Sequence, residues 1–432
     1  MKQERKPMTA RDYVQTLLTQ IDASPTAFQA AETQVAYLKE HGFTELKRED
    51  RWELSPGDSR YIVVGDAAVL AFRVGKNQHA AFHIAGAHSD SPSYRLKANP
   101  DQVKEGMLQL NVEPYGGIIH RTWLDRPLSV AGRLILKKDG GLEKKNLVID
   151  KDLLIIPSVA AHMDREVNDK GEIKPQKTMT PVYGLSSGDT EADFLSLVAE
   201  EAGVSRDAIL EYDLYLYARE KGCLLGANEA FFSVGRIDDL AMAYAALTAL
   251  AETEAGSAHQ MVVINDNEEI GSGTLRGADS FLLRDVLRRI TFALGGDEED
   301  FLTTLAKSFL ISCDQAHAVH PNYGEVADPT NRPRINEGPV IKMAANKSYN
   351  TDAESAARFR LLAEKAGVPV QTFHNHSDRR GGSTIGPITE RWTTIPGVDV
   401  GNPMLSMHSV RELAGVEDHY SMLKILKVFF AK

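Results

Sequence analysis

The hydrophobic and polar positions of this chain change period twice. Apolar residues at helical spacing run through Arg11–Ile21 and Ser24–Gly42, the second stretch opening on a Ser-Pro pair suited to a helix start. These predict two helices. Short apolar runs follow, YIVV at Tyr61–Val64, AVLAFRV at Ala68–Val74 and AAFHIAGAH at Ala80–His88, and predict strands. From about Ser93 to Val234 strands and turns alternate, with LILKKDG and LEKKNLVID as hairpin arms around Asp139–Gly141. The polar stretch DREVNDKGEIKPQKTMTP, residues 164–181, follows neither period and predicts a loop. After Arg236 helix and strand alternate again. A helix over Asp239–Glu254, a buried strand at Met261–Ile264, a helix over Ala353–Ala366, a strand at Val368–Phe373 and a closing helix from Glu417 are expected. Strand–helix alternation on both sides of a β-rich middle predicts an α/β domain, residues 1–92 and 235–432, interrupted by an inserted domain at 93–234.

Composition narrows the function classes. At 43% hydrophobic and 25% charged residues the chain can fill a sizeable globular core. A net charge of −11 argues against nucleic acid as a partner, because phosphate binding needs a basic surface. No window approaches the roughly 18 uninterrupted apolar residues of a membrane span. The opening MKQERKPMTARDYVQTLL is polar and then amphipathic, without the apolar core of a signal peptide. Cys223 and Cys313 lie far apart and form no disulfide framework, so a reducing cytoplasm is expected. Cys313 reads best as a small core residue.

Acids and histidines recur just after predicted strands or in loops, which is where α/β sheets gather their ligands. GAHSDSP carries His88 and Asp90, and an H-x-D turn can supply the carboxylate that fixes an imidazole's tautomer. GRIDDL places Asp238 and Asp239 at a helix start, where a helix cap and a first-turn acid are the plain alternative. In VVINDNEEIGSG a buried strand runs directly into Asp266, Glu268 and Glu269. Acids stacked there are costly unless a cation or proton offsets them, although a solvated turn would also fit. An apolar run delivers Asp314, His317 and His320, and His408 lies between methionines in MLSMHSVRELAG. Singly, each has an ordinary structural reading. Together they supply the mixed nitrogen and oxygen donors of a zinc-type site.

At this point the chain resembles the aspartyl aminopeptidase family of co-catalytic zinc peptidases. GAHSDSPSYRLK, VEPYGG, TWLDRPLSVAGR, IPSVAAHMDREVN, GRIDDL, DNEEIGSG, CDQAHAVHPNYG, GPVIKMAANKSYNTDA, GGSTIGPI and MHSVRELAG carry the likeness in order along nearly its whole length. The resemblance implies a phosphorylase/hydrolase-like α/β/α metallopeptidase domain with an inserted β-rich dimerisation domain. It implies two divalent ions per chain, most simply zinc, with cobalt or manganese also tolerated by such donors. Asp238 would bridge them, one ion adding His88 and Asp314 and the other Glu269 and His408. Asp90 would orient His88, and Glu268 would be the general base. Substrate contacts would come from His162, His317, Lys342 and Tyr349, with His162 reaching in from a partner subunit. Lys342 would pair with an acidic substrate side chain or serve a structural salt bridge. The implied assembly is a tetrahedral dodecamer built from dimers. The implied activity is removal of single residues from peptide N-termini, with side-chain preference open between acidic, neutral and basic. A carboxypeptidase or N-acyl amino-acid deacylase would use the same ligands but would need an arginine for a substrate carboxylate. A non-catalytic peptide-binding assembly protein would not need the complete ligand set.

Overall fold

The computed structural model describes residues 8–169, 171–186 and 192–431. Its largest layer is a nine-stranded sheet in the order Thr44–Glu45, Ser59–Val64, Ala68–Arg73, His259–Asn265, Phe82–His88, Phe309–Cys313, Gly397–Gly401, Val340–Lys342, Gln371–Phe373. Four central strands, from His259–Asn265 to Gly397–Gly401, run parallel. They are apolar almost without a break because both faces are covered. Val262 and Ile264 face one core with the helices Ile237–Glu252, Ala353–Ala366 and Val416–Phe430. Met261 and Val263 face the other, with Leu287 and Ile290 of Leu282–Ala293 and Phe301 of Glu298–Lys307. The result is helix, sheet, helix.

Local chemistry explains the helix ends. Thr9 and Asp12 form a capping box before Ala10–Asp22, and Asp352 and Ser355 do the same before Ala353–Ala366. The latter helix stops at Gly367 in the left-handed conformation, as expected of a C-terminal glycine. The second helix starts from Thr26 and covers Ala27–Glu40, slightly inside the predicted Ser24–Gly42.

Six strands between residues 93 and 218 form a separate antiparallel sheet, ordered Gly141–Val148, Leu128–Lys138, Ile209–Ala218, Ser93–Lys104, Met107–Tyr115, Val182–Leu185. The predicted hairpin at Asp139 is present, with Lys138 opposite Gly141 across a two-residue turn. This sheet is tied to the rest of the molecule by Gln29, which donates to the Gly132 carbonyl (2.9 Å), and by Arg133, which bonds Asp66 (2.6 Å). Cys223–Leu225 and Phe231–Val234 join neither layer. Cys223–Leu225 pairs with Phe231–Val234, which pairs with Glu412–Gly415 in a third sheet completed by Pro403–Leu405 and Ala316–His317. Among the described residues of the predicted loop over 164–181, most are irregular, but a short helix, Pro175–Thr178, is present, favoured by proline at its first position.

Candidate metal centre

Parallel strands bring their carboxyl ends to one edge, and the sequence has placed acids and histidines at those ends. Asn265 is level with His88, so the Asp266–Glu269 segment emerges beside the His88–Asp90 turn, and Asp314 leaves the next strand over. Opposite them, helix Ile237–Glu252 begins irregularly, with Asp238 and Asp239 outside helical geometry and both buried. His408, in the loop after Pro403–Leu405, closes the ring with φ of 67°.

The contacts fix the imidazoles. His88 Nδ1 lies 3.1 Å from the Asp90 main-chain carbonyl, which can only accept, so Nδ1 carries the hydrogen. Nε2 then faces Asp238 Oδ1 at 3.4 Å. His408 repeats the arrangement, donating from Nδ1 to the Gly117 carbonyl at 2.9 Å. Its Nε2 faces Asp238 Oδ2 at 3.4 Å and Glu269 Oε2 at 3.2 Å. Each oxygen of one carboxylate therefore meets a different imidazole. Donor atoms within 4.8 Å of one another group His88 with Asp238, Asp239 and Asp314, and Asp238 with Glu269 and His408.

Lone-pair nitrogens aimed at carboxylate oxygens repel unless a proton or cation lies between them. Among the described residues, Asp238 Oδ1, Asp239 Oδ1 and Glu269 Oε1 are buried without any hydrogen-bond partner. Leaving charged oxygens dry and unpaired is expensive, and metal coordination removes the cost. The residues present fit divalent ions of the zinc type. The remaining electrostatics agree. Burial pushes Glu268 up to about 7 and Glu269 well above the carboxylate range, with His88 opposing and neighbouring acids adding to both. Burial also raises Asp314, against the pull of Lys342. Burial raises Asp238, but the facing His408 and His88 imidazoles outweigh it and hold this carboxyl below the ordinary range.

A cavity of about 340 Å³ opens onto this cluster. Among the residues named from sequence, Asp238, Glu268, Glu269, Asp314, His317, Lys342, Tyr349 and His408 line it. Lys342 is buried, donates to the Gln315 carbonyl (3.0 Å), lies 3.6 Å from Asp314 Oδ1 and sits over the Tyr349 ring. Of the two roles open to it, the ion pair is formed. His162 is not brought to this cavity. It lies on an exposed loop after the Ile155–Val182 bridge, beside the exposed Met163. His320 packs at a tilt against the Tyr323 ring and does not line the cavity, and Cys313 is a core residue.

Sequence reasoning passed over other residues. Asp239 accepts from the His88 amide (3.1 Å) instead of merely opening a helix. Glu412, wholly buried, accepts from the His408 amide (2.8 Å) with one oxygen and from the Asp238 amide (3.1 Å) with the other. Only the shared spacing of His408 and Glu412 in MHSVRELAG could have hinted at it.

A buried His/Asp/Glu cluster at the carboxyl edge of a largely parallel, helix-covered sheet defines an α/β metallopeptidase. The profile of the family described as Aminopeptidase I zinc metalloprotease (M18) matches residues 20–430. A probable M18 family aminopeptidase 2 of Clostridium novyi is 47% identical over 425 residues, covering 97% of this chain and 98% of that protein. The solved Ape4 and Nbr1 complex contains a chain superposing with a TM-score of 0.94 at 35% identity, over 98% of this chain and 86% of that one. The S. cerevisiae mApe1 dodecamer gives 0.84 at 28%, covering 97% and 96%. The chain belongs to the M18 aminopeptidase family and is a metallo-aminopeptidase, a hydrolase of the exopeptidase kind.

Proposed function

We propose that the centre works with two divalent ions, zinc by family and cobalt or manganese by donor chemistry, set on either side of Asp238. The observation that carries this is the division of its carboxylate, one oxygen toward His88 and the other toward His408. Asp314 would complete the first set and Glu269 the second. Two bound ions would supply Lewis-acid polarisation of the scissile carbonyl and a lower pKa for the attacking water. Glu268 takes the proton from that water at its carboxylate and passes it to the departing amide nitrogen. Asp90 holds His88 in the tautomer that presents Nε2. The acidic cluster attracts the free ammonium of a peptide N-terminus, which suits removal of one residue at a time. Among the described residues no arginine lines the cavity, which counts against a carboxypeptidase or deacylase clamp. The intact ligand set counts against a non-catalytic peptide binder.

Lys342 lies on the cavity wall beside Tyr349 and His317, and its charge, shared with Asp314, is the feature that would favour an acidic N-terminal side chain. Chelation should abolish turnover of an aminoacyl-anilide, and Zn²⁺ or Co²⁺ should restore it. N-acetylated peptides should remain uncut, and full turnover of verified metal-free enzyme would refute the reading.

The remaining assignments concern assembly. Residues 1–92 and 235–432 form the catalytic domain and 93–234 the inserted dimerisation domain, whose last strand, Phe231–Val234, returns to pair with Glu412–Gly415. Dimers build a tetrahedral dodecamer, as the dodecamer of the yeast relative suggests. No helix among the described residues is long and apolar enough to cross a membrane, and two free cysteines suit a cytoplasmic setting. His162, exposed and away from its own chain's cavity, donates to the developing oxyanion of a partner's site. His162→Ala and Glu268→Gln, each inactive alone, should therefore complement each other after mixing and reassembly. Random exchange gives about one quarter of wild-type activity, since half the dimers are mixed and one of their two sites is whole. Mixed oligomers verified by mass spectrometry but inactive would remove His162 from that role.

A further inference from the structure

VEPYGG belongs to the six-stranded sheet, yet its end lies inside the metal centre. Strand Met107–Tyr115 finishes at Tyr115, whose hydroxyl donates to Asp90 Oδ2 at 2.7 Å and accepts from Asn267 Nδ2 at 2.9 Å. Asp90 can only accept, so both bonds together fix the hydroxyl's orientation. The same Asp90 carboxylate receives the amides of Glu268 and Glu269, each at 3.1 Å. Gly116 follows at φ +75°, and a Cβ there would come within 3.1 Å of Glu269 Cβ. The Gly117 carbonyl then takes the Nδ1 hydrogen of His408. Two further bonds, Ile119 amide to His408 carbonyl (3.2 Å) and Val410 amide to Thr122 Oγ1 (3.1 Å), stitch the same two segments together.

We propose that the Tyr115–Gly117 segment is a positioning element for hydrolysis, through which the six-stranded sheet sets the geometry of the Glu268–Glu269 turn and of His408. The inference rests on the two-ion reading above. Neither Tyr115 nor Gly117 faces a reacting atom; the first acts through Asp90 and the second through the His408 tautomer. A carbonyl at Gly117 keeps Nε2 as the lone-pair nitrogen turned to Asp238 and Glu269. The hydroxyl of Tyr115 keeps the backbone of the Glu268–Glu269 turn clamped on Asp90. Partners of this kind typically govern metal affinity or activity by about 10–100-fold.

The test uses the full-length assembled enzyme, with zinc affinity read by competition against a chromophoric chelator and turnover read on an aminoacyl-anilide. Tyr115→Phe removes only the hydroxyl. It should lower kcat about 10-fold while KM stays within about two-fold, a split that a general loss of stability would not produce. Gly117→Ala places a Cβ 3.1 Å from His408 Nδ1 and shifts the ring. It should weaken one of two zinc affinities about 10-fold and leave the other unchanged. Wild-type kcat in the first variant and wild-type affinity for both ions in the second would overturn the proposal. A wild-type enzyme that binds no zinc tightly, or a Glu269→Gln variant that binds zinc as wild type does, would instead overturn the two-ion reading.

Discussion

Glu268→Gln is expected to lower kcat by roughly 10²–10⁴-fold, the span usual for a lost general base. The side chain lies on the cavity wall, and its turn is held through the amides of Glu268 and Glu269 on Asp90. Glutamine keeps the size and the backbone contacts but cannot take a proton. Metal content should therefore stay at about two ions per chain. If the metal is lost while the base function survives elsewhere, Glu268 and Glu269 have exchanged roles. Elemental analysis beside steady-state kinetics separates the two results.

Asp238→Asn should have the larger effect on metal binding. Each oxygen of Asp238 faces one imidazole, so an amide can offer an acceptor to one side and only a donor to the other. Metal content should fall to about one ion per chain or less, and turnover should drop to background. The rise in melting temperature on adding zinc should shrink too, because ligand-induced stabilisation follows occupancy and affinity for the native state. A variant that still holds the wild-type complement would show that Asp238 is not shared.

The segments that sequence could place were those whose physics is local. VVIN and FLIS are apolar on both faces because helices cover both sides of the sheet, so burial shows as an unbroken run. VVIN and FLIS also lead into Glu269 and Asp314, as AAFHIAGAH leads into His88, but singly each had an ordinary structural reading and only the set pointed to a metal. Short strands such as Pro403–Leu405 and Glu412–Gly415 carry too few residues to show a period, and the third sheet was not legible. Glu412 and Tyr115 escaped for another reason. Their importance lies in which amide or carboxylate they touch, and those partners are 174 and 25 residues away along the chain. Asp239 looked like an ordinary first-turn acid until the fold put the His88 amide against it. For His162, sequence offered only a place inside the inserted segment; the fold puts it on an exposed loop, and its proposed partner is another subunit.

The shared position of Asp238 is open to one direct measurement. Crystals grown with zinc should be measured on both sides of the zinc absorption edge, and the anomalous difference map calculated. The account predicts two peaks, one on each side of the Asp238 carboxylate. His88 and Asp314 should ligate one, and His408 and Glu269 the other, with a separation of about 3.5–4 Å. A single peak at full zinc occupancy, or peaks that leave Asp238 outside the coordination of either ion, would contradict it.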